Sequence, residues 1–227
     1  MIGNFMGKRT SYVKQFISTE EIAAIRGFYE KMDPAPSGGP WKSSTVRLGH
    51  EGAWDRSLHL DKPGLNPGKM IVDRLQRRFG LFDVYTSSIR YLAAPFAPHS
   101  DVISAEWLLK KRATGLLPGW KFLIPLAWID GYNPKTYIFS SPPEHNEKLY
   151  SEYQHDLPYT VNDLDGSDRS KNFSIKTILE WKDPGDLLAW EDFQWHCSSD
   201  PDGMKYNLTD WRSACKEFIS VETMRKE

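Results

Sequence analysis

The sequence predicts an α+β chain that is mainly β, in which helices near the N-terminus support one sheet of an antiparallel sandwich or barrel. Helical patterns are confined to the first 80 residues, whereas the chain from residue 81 onward consists of short strand patterns separated by turn residues. Helices do not alternate with these strands, which argues against a parallel sheet. The 227 residues suffice for one large domain, so we expect a single domain over 1–227.

The N-terminal part, residues 1–80, begins with a strand pattern at 12–17 and a helix that Ser18 or Thr19 caps. Glu20 and Glu21 follow in the first helical turn, where the helix dipole favours anions. Residues 33–40 are rich in proline and glycine and predict a loop. Residues 46–61 carry mixed signals, and Pro67-Gly68 predicts a turn. A second, basic helix is expected to end at Gly80.

The C-terminal part, residues 81–227, consists of short apolar strand patterns. They lie at 84–93, 121–128, 136–139, 175–181, 187–190, 195–197 and 214–223. A polar insert at 140–172 separates the third pattern from the fourth and is too long for a simple connection. Such segments are usually functional lids or binding loops. We therefore expect substrate selection to involve this insert together with residues 1–80.

The composition favours a soluble, cytoplasmic protein. Lys and Arg together number 29 against 30 Asp and Glu, so no global field attracts nucleic acid or an anionic membrane. No apolar run approaches bilayer length, and the start at Met1 lacks the apolar core of a signal peptide. The two cysteines provide neither a disulfide framework nor a thiolate zinc site. We expect no nucleic-acid and no membrane partner.

The triplet His99-Ser100-Asp101, together with the distant His196, predicts a metal site. Two side chains two residues apart on a strand point to the same face. A second imidazole from another strand completes a set of two histidines and one carboxylate, which is diagnostic of non-haem Fe(II) oxygenases. Two similar triplets, His59-Leu60-Asp61 and His145-Asn146-Glu147, compete with it.

Sequence context separates these triplets. His99 follows a convincing strand at 88–93 and precedes another at 119–126, and His196 follows a Pro-Gly-Asp turn and an apolar strand. His59 leads directly into a turn, and His145 lies in the polar insert, which is a poor position for a rigid ligand. We therefore predict that His99, Asp101 and His196 bind the metal.

With these motifs in this order, the chain resembles the Fe(II)/2-oxoglutarate-dependent oxygenase superfamily. An aromatic strand precedes the His-x-Asp triplet at 88–101, and a Pro-Gly-Asp turn with an apolar strand precedes the distal histidine at 184–196. A Phe-Ile-Ser opening at 16–22 is also typical. The resemblance extends from residue 12 to residue 223. It implies a double-stranded β-helix, or jelly-roll, core with N-terminal helices buttressing one sheet.

The resemblance also implies cofactors. His99, Asp101 and His196 would hold Fe(II), and 2-oxoglutarate and O2 would be cosubstrates. Arg212 is the first candidate to bind the distal carboxylate of 2-oxoglutarate, because a guanidinium binds a carboxylate through two parallel hydrogen bonds. It lies sixteen residues beyond His196, a longer spacing than the family's usual ten or so. The other candidate anchors are Lys216, Lys121 and Arg90, with Thr136 or Tyr137 as a hydroxyl donor.

The expected reaction is oxidation of a small molecule, such as an amino acid or a natural-product intermediate, with release of succinate and CO2. By analogy with the family, the carboxylate of Asp101 favours hydroxylation, desaturation or ring closure over halogenation. Two alternatives stay open. One is a cupin-type dioxygenase that does not use 2-oxoglutarate, and the other is a non-catalytic jelly-roll binding protein.

Overall fold

The computed structural model describes residues 10–32, 34–36, 53–58, 67–93, 115–139, 175–191, 196–198 and 211–226. Within these ranges the chain forms two α-helices, one 3-10 turn and ten strands. In chain order they are β1 (Thr10–Val13), α1 (Thr19–Tyr29), β2 (Ala35–Pro36), β3 (Ala53–Ser57), α2 (Pro67–Phe79), β4 (Asp83–Leu92), β5 (Leu116–Trp128), β6 (Lys135–Phe139), β7 (Ile175–Glu180), β8 (Leu187–Glu191), β9 (His196–Ser198), the 3-10 turn (Trp211–Ser213) and β10 (Lys216–Lys226). Neither of these helices is long and apolar enough to cross a membrane.

The strands form two antiparallel sheets. The large sheet has the order β1-β8-β5-β10-β4-β3-β2, and the small sheet has the order β7-β6-β9. Side chains from both sheets meet in one apolar cluster, to which Phe218 of the large sheet and Ile138 of the small sheet belong. The prediction of a mainly β, α+β fold with a double-stranded β-helix core is confirmed.

The large sheet buries both of its faces. Ile219 packs on the side that α1 and α2 cover, and its neighbour Phe218 packs toward the small sheet. Successive side chains on a strand point to opposite faces, so the position of each residue along a strand decides which side it faces. We call the side toward the small sheet the inner face. Functional side chains that are enclosed between the two sheets must therefore lie on this inner face.

Helix α1 begins as the sequence predicts. The hydroxyl of Ser18 accepts a hydrogen bond from the Glu21 backbone at 3.2 Å, and the Glu21 carboxylate accepts one from the Ser18 backbone at 2.8 Å. This capping box satisfies two donors at the helix start. Arg74 of α2 donates to the Glu21 carboxylate at 2.6 Å and also to the Phe16 carbonyl. Arg74 therefore links α2 to α1 and to the segment between β1 and α1.

Several predicted boundaries were wrong. Pro67 opens α2 instead of marking a turn, since proline at the first helical position loses no intrahelical hydrogen bond. Strand β3 lies in the region of mixed signals, where pairing with β4 stabilises it. The short β2 lies in the predicted loop and pairs with β3. The last strand begins at Lys216 instead of residue 214, and Arg212 lies before it on the 3-10 turn.

The Pro-Gly-Asp turn connects three parts of the large sheet. Gly185, at φ +88°, donates its N–H to the carbonyl of Pro125 at 2.8 Å and accepts from the N–H of Ile17 at 3.0 Å. The buried carboxylate of Asp186 accepts hydrogen bonds from the Tyr12 hydroxyl and the Gln15 backbone. This motif therefore has a structural role, fixing the start of β8 against β5 and the segment that follows β1.

Candidate functional site

His196 is the one predicted metal ligand within the described residues. His99 and Asp101 lie outside them, as do the competing His59 and His145. In the part of the chain that the structure describes, no group of three or more His, Cys, Asp or Glu side chains could hold a metal ion. The triad of His99, Asp101 and His196 therefore stays a prediction.

The imidazole of His196 is buried at the first residue of β9. It is 6% exposed and lies directly opposite Ile138 of β6. Opposite residues of an antiparallel pair share a face, so His196 faces the inner cluster to which Ile138 belongs. Ser198, two residues along β9, shares that face and lies opposite Thr136. The structure therefore places an imidazole and two hydroxyls in a row on the small sheet.

A buried lysine faces this row from the large sheet. Lys216, the first residue of β10, is 2% exposed. Its Nζ atom lies 5.3 Å from the ring centre of Trp181 and 5.9 Å from that of Tyr132. The same Trp181 donates its indole N–H to the Thr136 hydroxyl at 3.2 Å. The Lys216 ammonium and the Thr136 hydroxyl are thus neighbours of one indole, which brings two predicted anchor residues to the same part of the barrel interior.

Two buried side-chain polar atoms of Ser220 and Trp190, on the inner face, have no hydrogen-bond partner in the described part of the chain. They are the Ser220 hydroxyl and the indole nitrogen of Trp190. Ser220 lies four residues after Lys216 on the same face of β10, and Trp190 belongs to the inner apolar cluster. A buried polar atom of this kind usually has a water, ion or ligand as its partner. The barrel interior therefore offers donors suited to a polar ligand.

Arg90 and Lys121 lie elsewhere on the inner face. Each contacts the carboxylate of Glu222, with Arg90 at 3.6 Å, and Arg90 also pairs with Asp55 at 3.1 Å. Glu222 follows Lys216 by six positions on β10, a separation of about 20 Å at the usual rise per residue of an extended strand. Lys121 lies opposite Glu222, whereas Arg90 lies opposite Phe218 and reaches Glu222 with its side chain. Both cations are therefore already engaged with carboxylates.

Arg212 is not brought to the inner face. Its side chain is exposed, and its guanidinium stacks on the ring of Trp211 at 4.8 Å. Trp211 in turn packs against the cluster on the helix side of the large sheet.

Sequence reasoning missed Ser220, Trp190, Ser198 and Glu222. A signal was present for two of them, because Lys216, Ser220 and Glu222 recur at even spacing along one apolar strand. Polar residues at the inward positions of a strand indicate a polar interior. Trp190 and Ser198 carry no such signal, because tryptophan is an ordinary core residue and β9 has only three residues.

Comparisons with known proteins support the fold. No family model matches the sequence, and no curated protein matches it. Among solved structures, the chain is similar to the non-haem α-ketoglutarate-dependent carbocyclase SnoK from nogalamycin biosynthesis, with a TM-score of 0.55 and 11% identity over 96% of this chain and 80% of that one.

Two further similar structures have lower scores. A prolyl-4-hydroxylase from Pseudomonas putida has a TM-score of 0.49 and 8% identity, covering 97% of this chain and 95% of that one. HygX from Streptomyces hygroscopicus, with nickel and 2-oxoglutarate bound, has a TM-score of 0.49 and 10% identity, covering 96% and 83%. Of these three structures, SnoK supports the fold. The chain has the double-stranded β-helix fold of the non-haem Fe(II)/2-oxoglutarate-dependent oxygenases, as the sequence motifs predict.

Proposed function

We propose that this chain is an Fe(II)/2-oxoglutarate-dependent oxygenase that oxidises a small molecule. One observation carries the proposal: the buried imidazole of His196 and the buried ammonium of Lys216 both face the interior of a double-stranded β-helix. A neutral imidazole is a ligand for Fe(II), and a lysine enclosed by aromatic rings is a suitable counter-ion for a carboxylate. A dicarboxylate such as 2-oxoglutarate, which would chelate the metal through one end, requires both a metal ligand such as His196 and a cation such as Lys216 for its distal carboxylate.

His196 suits iron, because imidazole is a common ligand of Fe(II). His196 would hold the metal together with His99 and Asp101, a set that leaves open coordination positions for cosubstrate and O2. When bound, Fe(II) and 2-oxoglutarate would supply the activation of O2, with succinate and CO2 as products. The protein's own contribution is orientation and exclusion of water. The burial of His196 against Trp190 contributes to both, because it holds the imidazole in a dry, fixed position.

We assign the distal carboxylate of 2-oxoglutarate to Lys216, with the hydroxyl of Thr136 as a second donor. Both side chains are buried and both contact Trp181. The Ser220 hydroxyl lies on the same face of β10 and is a third donor. Arg212 is less suitable because it is exposed on the 3-10 turn. Arg90 and Lys121 are less suitable because they already neutralise Glu222.

The test is turnover of 2-oxoglutarate by protein reconstituted with Fe(II) under anaerobic conditions, followed by succinate release when O2 is added. His196→Ala, His99→Ala and Asp101→Ala should abolish succinate release, whereas His59→Ala should not. If His59→Ala abolishes Fe(II) binding and His99→Ala preserves it, the ligand assignment is wrong. Fe(II) binding without affinity for 2-oxoglutarate would favour a cupin-type dioxygenase, and no Fe(II) binding at all would favour a binding protein.

The anchor is tested separately by the affinity for 2-oxoglutarate, measured calorimetrically on the Fe(II)-loaded protein. Loss of a charge-assisted hydrogen bond costs roughly 2–3 kcal/mol, so Lys216→Met should weaken binding by about 30- to 150-fold. Lys216→Arg should recover part of this loss. Arg212→Gln is the matched control and should bind like the unmodified protein. Weak binding by the Arg212 variant with normal binding by the Lys216 variant would reverse the assignment.

A further inference from the structure

A buried arginine lies on the helix side of the large sheet. Arg56 of β3 is 6% exposed and lies opposite Ile89 of β4, which belongs to the apolar cluster that α1 and α2 cover. Opposite residues of an antiparallel pair share a face, so the Arg56 side chain lies on the far side of the large sheet from His196. A ligand at Arg56 would therefore be separate from the candidate metal site.

The guanidinium of Arg56 is bound through one of its three nitrogens. Its Nη1 atom donates to the hydroxyl of Tyr91 at 2.6 Å. Two rings pack on its plane, with the central carbon 5.0 Å from the ring centre of Tyr91 and 4.6 Å from that of Trp211. The Nε and Nη2 atoms are enclosed and have no hydrogen-bond partner in the part of the chain that the structure describes.

The two unpartnered nitrogens of Arg56 form one edge of the guanidinium. Nε and Nη2 each direct an N–H along this edge, and such a pair of parallel donors matches two oxygens of a single carboxylate or phosphate. Buried polar atoms are nearly always hydrogen-bonded, because a donor that leaves water without a new partner loses free energy. The Nε–Nη2 edge therefore indicates an anionic ligand.

Tyr91 and Glu217 fix the orientation of this edge. Burial raises the pKa of Tyr91 to about 12, so its hydroxyl stays protonated and can donate to the carboxylate of Glu217 while it accepts from Arg56. Glu217 also pairs with Arg26 of α1 at 3.2 Å, and the side chain of Arg26 is 53% exposed. The guanidinium of Arg56 is thus held through Nη1, and its Nε–Nη2 edge stays available.

The charges around Arg56 favour a ligand with one negative charge. Arg26 and Arg56 are two cations that act on the single carboxylate of Glu217, which leaves one formal positive charge unbalanced. A bound carboxylate would balance it. A phosphate group carries a charge of about −1.5 to −2 at neutral pH, so it would leave excess negative charge in a buried position.

We infer that Arg56 binds the carboxylate of a small organic acid, at a site separate from the oxygenase site proposed in the barrel interior. The Nε and Nη2 atoms each donate one hydrogen bond to an oxygen of that carboxylate. We call this position the Arg56 site.

The ligand reaches the Arg56 site past Trp211. Of the two rings that pack on the guanidinium, Tyr91 is 5% exposed and lies within β4, whereas Trp211 is partly exposed and lies on the three-residue 3-10 turn. A short surface turn opens at a lower cost in free energy than a strand inside a sheet. Movement of the Trp211 ring therefore opens the enclosed edge.

The experiment is NMR spectroscopy of the full chain labelled with ¹⁵N, without Fe(II) or 2-oxoglutarate. The Nε–H resonance of Arg56 is identified by its loss in Arg56→Lys. The probes are acetate, its neutral counterpart acetamide, and inorganic phosphate, with chloride keeping the ionic strength constant. We expect acetate to shift this resonance until saturation and acetamide to leave it unchanged. Phosphate should bind at least about 10-fold more weakly than acetate.

Variants test the donors, with affinities obtained from the increase in the free energy of unfolding that acetate produces. Arg56→Gln should weaken acetate binding by about 30- to 150-fold, as expected for loss of a charge-assisted hydrogen bond. Arg56→Lys keeps the charge without the paired donors and should recover part of this loss. Arg225→Gln, on an exposed residue of β10, is the matched control and should bind acetate like the unmodified protein.

The inference is overturned if acetate leaves the Arg56 resonance unchanged, if acetamide shifts it equally, or if Arg56→Gln keeps the full stabilisation by acetate. Tighter binding of phosphate than of acetate would refute the carboxylate class. Trp211→Ala should bind acetate with a faster association rate, and an unchanged rate would refute the route past that ring. The comparison of acetate with acetamide uses the unmodified protein, so it remains decisive even if a variant does not fold. Because the samples contain no Fe(II), either result leaves the oxygenase proposal to its own test.

Discussion

The indole of Trp190 packs against the imidazole of His196, with ring centres 4.9 Å apart and planes tilted by 57°. Trp190 lies on β8 of the large sheet and His196 on β9 of the small sheet. The contact therefore joins the two sheets at His196, the candidate metal ligand and the first residue of β9. Because Trp190 is almost fully buried, its ring limits the orientations that the imidazole can adopt.

This contact predicts that Trp190→Ala weakens Fe(II) binding by about 10-fold or more, the effect expected when a group that orients a metal ligand is lost. Truncation should also lower the free energy of unfolding by about 3–5 kcal/mol. Trp190→Phe retains a ring against His196 and should keep most of the metal affinity. The measurement is anaerobic titration with Fe(II).

The matched control is Trp54→Ala, which removes a buried tryptophan on the helix side of the large sheet. It should lose stability while keeping its Fe(II) affinity. Equal metal affinity in Trp190→Ala and the unmodified protein would show that this indole does not orient the imidazole.

A second prediction concerns the irregularity between β10 and β5 that positions Glu222. The Thr223 hydroxyl accepts from the Trp120 N–H at 2.8 Å and donates to the Trp120 carbonyl at 3.0 Å, where the register shifts. Gly119 allows this approach, since a Cβ there would overlap the same hydroxyl. Thr223→Val keeps the shape but removes both hydrogen bonds. We expect it to lower the free energy of unfolding by about 1–3 kcal/mol.

The measurement is urea denaturation, with Thr223→Ser as the control that retains the hydroxyl. Thr223→Ser removes only a methyl group, so it should lower the free energy of unfolding by less than Thr223→Val does. If valine is tolerated as well as serine, the hydroxyl does not hold the two strands at this position.

The start of α1, the end of α2 and most strands were predictable because their signals are local. The capping box of Ser18 and Glu21 and the stop at Gly80 depend on neighbouring residues only. Strand β3 was not predictable from its own sequence. Trp54 of β3, and Leu58 directly after the strand, become core residues only through packing against β4 and the helices.

The candidate site was predictable in residue type but not in orientation. The sequence predicts His196 as a metal ligand, and the structure shows this side chain buried opposite Ile138. The sequence also offers Arg212 and Lys216 as rival anchors near the last strand. Whether a side chain enters the barrel depends on where the strand begins, because a shift of one residue reverses its face. Once β10 starts at Lys216, that lysine faces inward and Arg212 remains outside on the 3-10 turn.

A third prediction concerns the acid sensitivity of the contact between α1 and α2. A hydrogen bond from Arg74 lowers the pKa of the Glu21 carboxyl below its ordinary value, which in unfolded chains is about 4.3. A group with a lowered folded-state pKa stabilises the protein above the unfolded pKa, and this contribution is lost as the pH falls through the folded pKa. Glu21→Gln keeps an oxygen that can accept the capping hydrogen bond but removes the charge.

We therefore expect Glu21→Gln to be less stable than the unmodified protein at neutral pH by up to about 1 kcal/mol, since the pair is partly exposed. The difference should disappear in acid, as measured by chemical denaturation across the pH range. Glu30→Gln, at the C-terminal end of the same helix, controls for the loss of one carboxylate, and a deficit in Glu21→Gln that persisted at low pH would show that packing and not charge is responsible.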